Sequence, residues 1–348
     1  MSLMTLKETY EAIVARLNDL DFELLWPGFK RYPFALYQGK KAIMHGEEVS
    51  KPDAFMANTA VYFEDAWWAI WQLQETDDLD VLTAKIVHEM VHAFQHEQED
   101  PRFVHEMEAL FNHEFDASYW ALKKQELKLL DPLYKRFTIN AWEDFLAFRK
   151  ARRHQHPDLV NYECGVEQIE GFAQFIELKT LKFLDEAKAQ KMLEDCLQRI
   201  NHPSRLFERR AMAYDVGCVL FALIDQHQIN VSLNDQEPLM VTLTKHLKPS
   251  HINEAVDHDV SQAWQAQIKT HLTLIKDSLK QTPIYEGDAP LLGVNVYDAK
   301  RLDNYLITTY FVYLGPKENP QLFEGNYIVE LHPTHHVKVL YPWKRYHG

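Results

Sequence analysis

At 348 residues the chain has room for one large domain, or for a main domain with a smaller companion. Its hydrophobic fraction of 46% and charged fraction of 25% are those of a globular protein in water. The formal charge of -14 argues against a nucleic-acid partner, because phosphate binding needs a basic surface. Cys164, Cys196 and Cys218 are odd in number and far apart, which argues against a disulfide framework, and none has metal-ligand spacing. No apolar run approaches a membrane span, and the N-terminal MSLMTLKETYEAI lacks the apolar stretch of a signal peptide. A cytoplasmic protein with no membrane partner is the expectation.

In chain order, residues 5–20 read as an amphipathic helix with Leu6, Tyr10, Ile13, Val14 and Leu17 on one side. Residues 34–37 and 42–44 flank Gln38-Gly39-Lys40-Lys41 as a hairpin. Residues 59–63 and 67–73 form a second pair, turning at Glu64-Asp65. A helix then follows, with apolar Val81, Leu82, Ile86, Val87, Met90, Val91 and Phe94, and with Asp77, Asp78 and Asp80 suited to its N-terminal end.

The spacing predicts helices over 103–130 and 132–153, broken at Asp131-Pro132, and further helices over 162–184, 206–227 and 252–280. From Pro283 onward, strand formers cluster at 291–297, 305–314, 322–330 and 337–341, and predict a small antiparallel sheet. The fold class is therefore α+β, with a small N-terminal sheet, a mainly helical body and a C-terminal antiparallel β region. The body spans 1–282, with a helical insertion at about 103–155, and the β region spans 283–348.

Chemistry concentrates in Lys85 to His96, KIVHEMVHAFQH, which contains H-E-x-x-H as His88, Glu89 and His92. On a helix the i, i+4 spacing puts both imidazoles on one face, where they can share a Zn²⁺ ion. Glu89, next to the first ligand, is placed to act as general base on a metal-bound water. The bland alternative is a chance pattern in a chain with 18 histidines. Such a site needs a third protein ligand. Metzincins add a histidine as H-E-x-x-H-x-x-G-x-x-H, but Gln95 and Gln98 stand where the glycine and histidine belong. His96 lies one turn past His92 and would be poorly aimed from the same helix. Elsewhere, His332, His335 and His336 cluster in the tail, and His251 and His258 flank a helix start; all five read as surface histidines.

Further along lies Glu170-Gly-Phe-Ala-Gln-Phe-Ile-Glu177. H-E-x-x-H followed by E-G-F-A-x-F-x-E resembles the gluzincin metallopeptidases of the alanyl aminopeptidase and leukotriene A4 hydrolase type. The resemblance implies a zincin-like catalytic domain, and it implies Glu170 as the third zinc ligand. Ala213-Tyr-Asp-Val-Gly-Cys218 is similar to the family's Y-x-x-G segment, which implies that Tyr214 stabilises the tetrahedral intermediate. Ala54-Phe-Met-Ala-Asn58 is similar in part to the family's G-x-M-E-N strand, keeping Met56 and Asn58 and continuing into Thr59-Ala-Val-Tyr-Phe63. That would make Met56, Ala57 and Asn58 substrate-binding positions on a strand that pairs with extended peptide. Ala57 replaces the glutamate that binds a substrate's free amino group. The family also has a short linker between second histidine and glutamate, whereas here 77 residues intervene, positions 93 to 169. The helices at 103–153 would be an insertion.

Glu167 and Gln174 lie one turn either side of Glu170, where either could orient a ligand from outside. Together these residues imply a zinc metallopeptidase acting on a peptide or protein substrate, endopeptidase-like or specialised rather than a general aminopeptidase. Two alternatives stay open: a zinc hydrolase of a non-peptide bond, and a regulatory or binding protein on a zincin scaffold.

Overall fold

A computed structural model describes residues 4–74, 78–231, 236–250 and 257–344. The chain divides into two compact units. The first unit gathers residues 1–103, 127–150 and 163–249, and the second gathers 104–126, 151–162 and 250–348. The β region therefore shares its unit with helical segments from earlier in the chain, rather than standing alone from residue 283.

In the first unit, α1 (Leu6–Asn18) begins at a capping box: the Thr5 hydroxyl accepts from Glu8 N, and the Glu8 carboxylate accepts from Thr5 N. After the short α2 (Phe22–Leu25) come β1 (Phe34–Gln38), β2 (Lys41–Met44), β3 (Glu47–Ser50), β4 (Thr59–Phe63) and β5 (Ala66–Gln72). Their order is β3-β2-β1-β5-β4, with β1 and β5 parallel and every other pair antiparallel. Glu64 and Asp65 both take positive φ and close the β4–β5 hairpin in two residues, as the strand twist requires. β3 is exposed along its whole length, so it carries no apolar alternation by which a sequence reading could find it. β4 is one of the two edge strands, with β3 at the other end, and is paired on one side only among the described residues.

α3 (Leu79–Glu97) starts on Asp78, whose carboxylate accepts from Asp80 N and Val81 N, and it packs on β5 and β4. Asp77 lies outside the described residues. Beyond α3 the chain forms α4 (Glu106–Asn112), α5 (Ala117–Lys135), α6 (Ile139–Gln155) and α7 (Pro157–Val166). The break expected at Asp131-Pro132 does not occur: α5 runs through Pro132 and ends three residues later. A proline so near the C-terminus forfeits one backbone hydrogen bond, which the last turn tolerates. The interruptions fall instead at 113–116 and 136–138.

α7 continues into a single π turn, Glu167–Gly171, and then α8 (Phe172–Leu184), α9 (Glu186–Asn201), α10 (Arg209–Gln226) and α11 (Leu239–Thr244). α9 was not anticipated. Its buried stripe is Ala189, Leu193, Cys196 and Ile200, and two small residues of four make a weak apolar signal. The π turn and α10 meet glycine to glycine. A Cβ on Gly171 would fall 2.5 Å from Gly217 Cα, and one on Gly217 would fall 2.7 Å from the Glu167 carbonyl oxygen. Only hydrogen fits between these backbones, so both glycines are required for the approach.

In the second unit, α12 (His258–Ser278) packs Ile275 against Ile307 and Ile328. The start expected for this helix at 252, and His251 before it, lie outside the described residues. The strands are β6 (Tyr285–Ala289), β7 (Leu291–Val294), β8 (Lys300–Leu302), β9 (Tyr305–Thr308), β10 (Phe311–Leu314), β11 (Gln321–Glu324), β12 (Tyr327–Leu331) and β13 (Val337–Pro342). They form two antiparallel sheets, β11-β10-β7 and β6-β13-β12-β9-β8, around a core that includes Leu306, Val312, Val329 and Leu340. Each of the two longest expected strands is in fact a pair. Tyr310 at φ 67 divides β9 from β10, and Gly325 at φ 132 divides β11 from β12. No helix among the described residues is long and apolar enough to cross a membrane.

Candidate metal centre

His88, Glu89 and His92 are all buried on α3, in the first unit. The two imidazole Nε2 atoms lie 3.2 Å apart. Glu170, on the π turn, brings Oε2 to 3.0 Å from His92 Nε2 and 3.8 Å from His88 Nε2. Ligand atoms around a tetrahedral zinc at normal bond lengths stand about 3.3 Å from one another. One atom from each of the three side chains fits that triangle, and all lie within 4.8 Å of one another. The donor set, two imidazole nitrogens and one carboxylate oxygen, suits a divalent ion of the zinc type.

The local fold explains the convergence. α3 supplies the i, i+4 pair, and α8 packs along it just after the π turn. A π turn holds an extra residue and so re-aims the side chains around it, which is why such turns mark functional positions. The Gly171–Gly217 contact lets α10 approach closely enough to bring Arg210 and Tyr214 to the same place. Arg210 Nη2 donates to Glu170 Oε1 at 2.6 Å and lies 3.5 Å from the half-buried Tyr214 hydroxyl. Its guanidinium stands 5.6 Å from the Tyr214 ring centre.

The outer nitrogens are also held. His88 Nδ1 faces Glu177 Oε2 at 3.1 Å, and His92 Nδ1 faces Gln95 Oε1 at 2.8 Å. Gln95 Nε2 donates to the Ile169 carbonyl at 3.0 Å, so its oxygen must be the atom turned to His92. Both Nδ1 atoms therefore carry the proton, and both Nε2 lone pairs point to the shared position.

Charge is concentrated here. Burial opposes a charged His88, but the Glu170 and Glu177 carboxylates outweigh it and push the imidazole up to about 10. His92 is raised for the same reason, burial being overcome chiefly by Glu170. Glu170 is held well below the usual carboxylate range: burial opposes this, and His92, His88 and Arg210 prevail. Burial pushes Glu89 up, with His88 and His92 offsetting only part. Among the described residues, nothing hydrogen-bonds the Glu89 carboxylate. A divalent cation can replace the proton that the two imidazoles and Glu170 otherwise share.

The remaining expected positions lie elsewhere. Met56, Ala57 and Asn58 are exposed and precede the edge strand instead of belonging to it, and Asn58 Oδ1 accepts from Gln72 N at 2.7 Å. Glu167 is buried in an ion pair with Arg149, and Gln174 donates to Asp215 Oδ1 at 3.2 Å. Gln95 and Glu177, not these two, hold the His88 and His92 imidazoles. His96 is stacked between Trp67 and Phe103, with ring centres 4.2 and 4.6 Å away, outside the three-donor cluster.

The signals for the overlooked residues were present. Gln95 follows His92 by three residues, Arg210 precedes Tyr214 by four, and Glu177 follows Glu170 by seven, each a same-face spacing. No protein-family profile, curated protein or solved structure matches the chain.

Proposed function

We propose that the chain is a zinc-dependent hydrolase of the zincin class, a gluzincin-like metallopeptidase that cleaves peptide bonds. The observation that carries this reading is the buried triangle of His88 Nε2, His92 Nε2 and Glu170 Oε2 beside an unengaged Glu89 carboxylate. Binding an ion needs only the first three. A fourth side chain, an acid that is buried, raised in pKa and without a hydrogen-bond partner, suits proton transfer.

When bound, zinc supplies Lewis acidity toward a water molecule and a carbonyl oxygen, and with this ligand set it leaves net +1 for an anionic transition state. Glu89 takes the proton from the attacking water and passes it to the leaving nitrogen. Tyr214 offers its phenol O–H to the developing oxyanion. Arg210 holds Glu170 through Oε1, leaving Oε2 for the ion. Glu177 and Gln95 fix the ring orientations of His88 and His92.

The edge strand β4 packs beside α3 with its outer side unpaired among the described residues, which suits an extended polypeptide laid along it. In the resemblance Ala57 replaces the glutamate that binds a free α-amine, which favours internal cleavage.

The test is zinc content and proteolysis of an unfolded protein substrate such as casein. The purified protein should carry about one zinc per chain. Glu89→Gln should keep that zinc and lose at least about a hundredfold in cleavage rate, the low end of what a general base contributes. Full cleavage by Glu89→Gln would overturn the mechanism, and wild type with zinc bound but no cleavage of any peptide bond would overturn the activity.

A further inference from the structure

At the C-terminal end of α3, on the first unit, a cavity of about 550 Å³ opens between that helix, the loop after α2 and the π turn. Its volume falls in the range of small-molecule sites. None of His88, Glu89, His92, Glu170 and Tyr214 lines it. Trp26, Phe94 and Phe172 supply aromatic walls, with Trp26 fixed edge-on against Phe172 at 4.8 Å between ring centres. Asp100 and Arg102 face the same space but neutralise each other through a short ion pair of 2.5 Å, so the walls offer a ligand no net charge.

The uncharged polar part of the lining is amides: Gln95, Gln98, Gln168 and Gln236. Gln168 is the informative one. It is 96% buried, its Oε1 accepts from Leu239 N at 3.0 Å, and its Nε2 has no partner among the described residues. Facing the open cavity, this amide donor meets only water until a ligand supplies an acceptor. Side-chain amides are matched by other amides, which present a carbonyl acceptor and an N–H donor side by side. Aromatic walls next to them are matched by an apolar group on the same ligand.

We propose that this cavity is a second ligand site, for a neutral amide-bearing group attached to an apolar one, and that its occupancy is transmitted to the metal centre. The chemistry is that of a capped amino acid or an internal peptide residue. The transmitting residue is Gln95, which lines the cavity and holds His92 Nδ1 at 2.8 Å. A ligand that draws on the Gln95 amide changes how His92 is held, and by reciprocity a bound ion changes the affinity for the ligand. The site stands independently of the hydrolase reading, since binding requires no cleavage.

Isothermal titration on the metal-free protein tests it, with N-acetylphenylalaninamide as the free small molecule and a capped alanine-phenylalanine-alanine tripeptide as the peptide segment. Either probe should bind saturably, and the tighter one identifies the source. Gln168→Glu keeps the acceptor for Leu239 N and removes the open donor, so affinity should fall about tenfold. Gln98→Trp, an exposed rim position, should fill the cavity and abolish binding without loss of thermal stability. With the tighter probe saturating, zinc affinity should shift by threefold or more. No saturable binding of either probe, or binding that both variants retain, would overturn the site; zinc affinity unchanged by a bound probe would overturn the coupling.

Discussion

On α3, His88 and His92 turn one nitrogen each toward a shared point and the other toward a fixed acceptor. In the connection from β12 to β13, His332, His335 and His336 are closer in sequence yet look in three directions. His332 Nε2 faces the Gly287 carbonyl at 3.4 Å, His335 stacks on Phe111 at 4.3 Å, and His336 Nδ1 meets Asp288 Oδ1 at 2.8 Å. The first pair sits on one helix face, buried against a carboxylate; the trio lies on a turn that fans side chains apart. Density of ligand-type residues does not make a site. Burial, a common direction and a second layer of acceptors do.

The largest effect that would separate the two regions is on metal affinity. Glu170→Ala should weaken zinc binding by well over about a hundredfold, beyond what an outer partner costs. Changing His332, His335 and His336 together to Ala should leave it within about twofold, inside the scatter of such measurements. Equilibrium dialysis against a competing chelator reads both, and a reversed result would relocate the centre. Glu177→Ala should cost about 10–100-fold in the same assay, because His88 loses the acceptor that orients it. An unchanged affinity there would mean that packing alone orients His88.

Acidity gives a third separation. With the His88 imidazole pushed up to about 10, zinc must displace a proton from it at neutral pH. With His92 raised as well, affinity should therefore rise at least about tenfold per pH unit between pH 6 and 8, with one or more protons released per zinc bound. Competition titrations in two buffers of different ionisation enthalpy would detect that release, and a flat profile would show a neutral His88. Smallest is a pair of glycine substitutions. Gly217→Ala forces a Cβ to 2.7 Å from a backbone oxygen and should cost about 1–3 kcal/mol of stability, with weaker zinc binding. Gly293→Ala meets nothing nearer than Tyr313 Cβ at 3.9 Å, and should change stability by less than about 1 kcal/mol. Equal costs in chemical denaturation would erase the contrast.

What could be read in advance followed from periodicity. The α3 pattern, its aspartate start and the i, i+4 pair belong to one helix, and a helix preserves spacing as geometry. The two-residue turn at Glu64-Asp65 was legible for the same local reason. Residues that meet across elements were harder. Gln95 and Glu177 look like ordinary positions on amphipathic helices until the opposing helix is in place, and Arg210 looks like a solvated charge. Glu167 and Gln174 shared the expected face with Glu170, but the π turn interrupts the 3.6-residue period, and stronger partners claim both side chains. In the tail, two continuous runs of strand formers hid breaks at Tyr310 and Gly325, where a positive φ turns the chain.

Gly171 and Gly217 carry no reactive atom, yet the approach of α10 to the π turn depends on both. A hydrogen atom lodged between two backbones has no substitute at all. Two residues that take no part in the chemistry thus set the spacing on which every reacting side chain depends: a methyl group there should loosen the whole centre slightly, where loss of a donor removes one part of it outright.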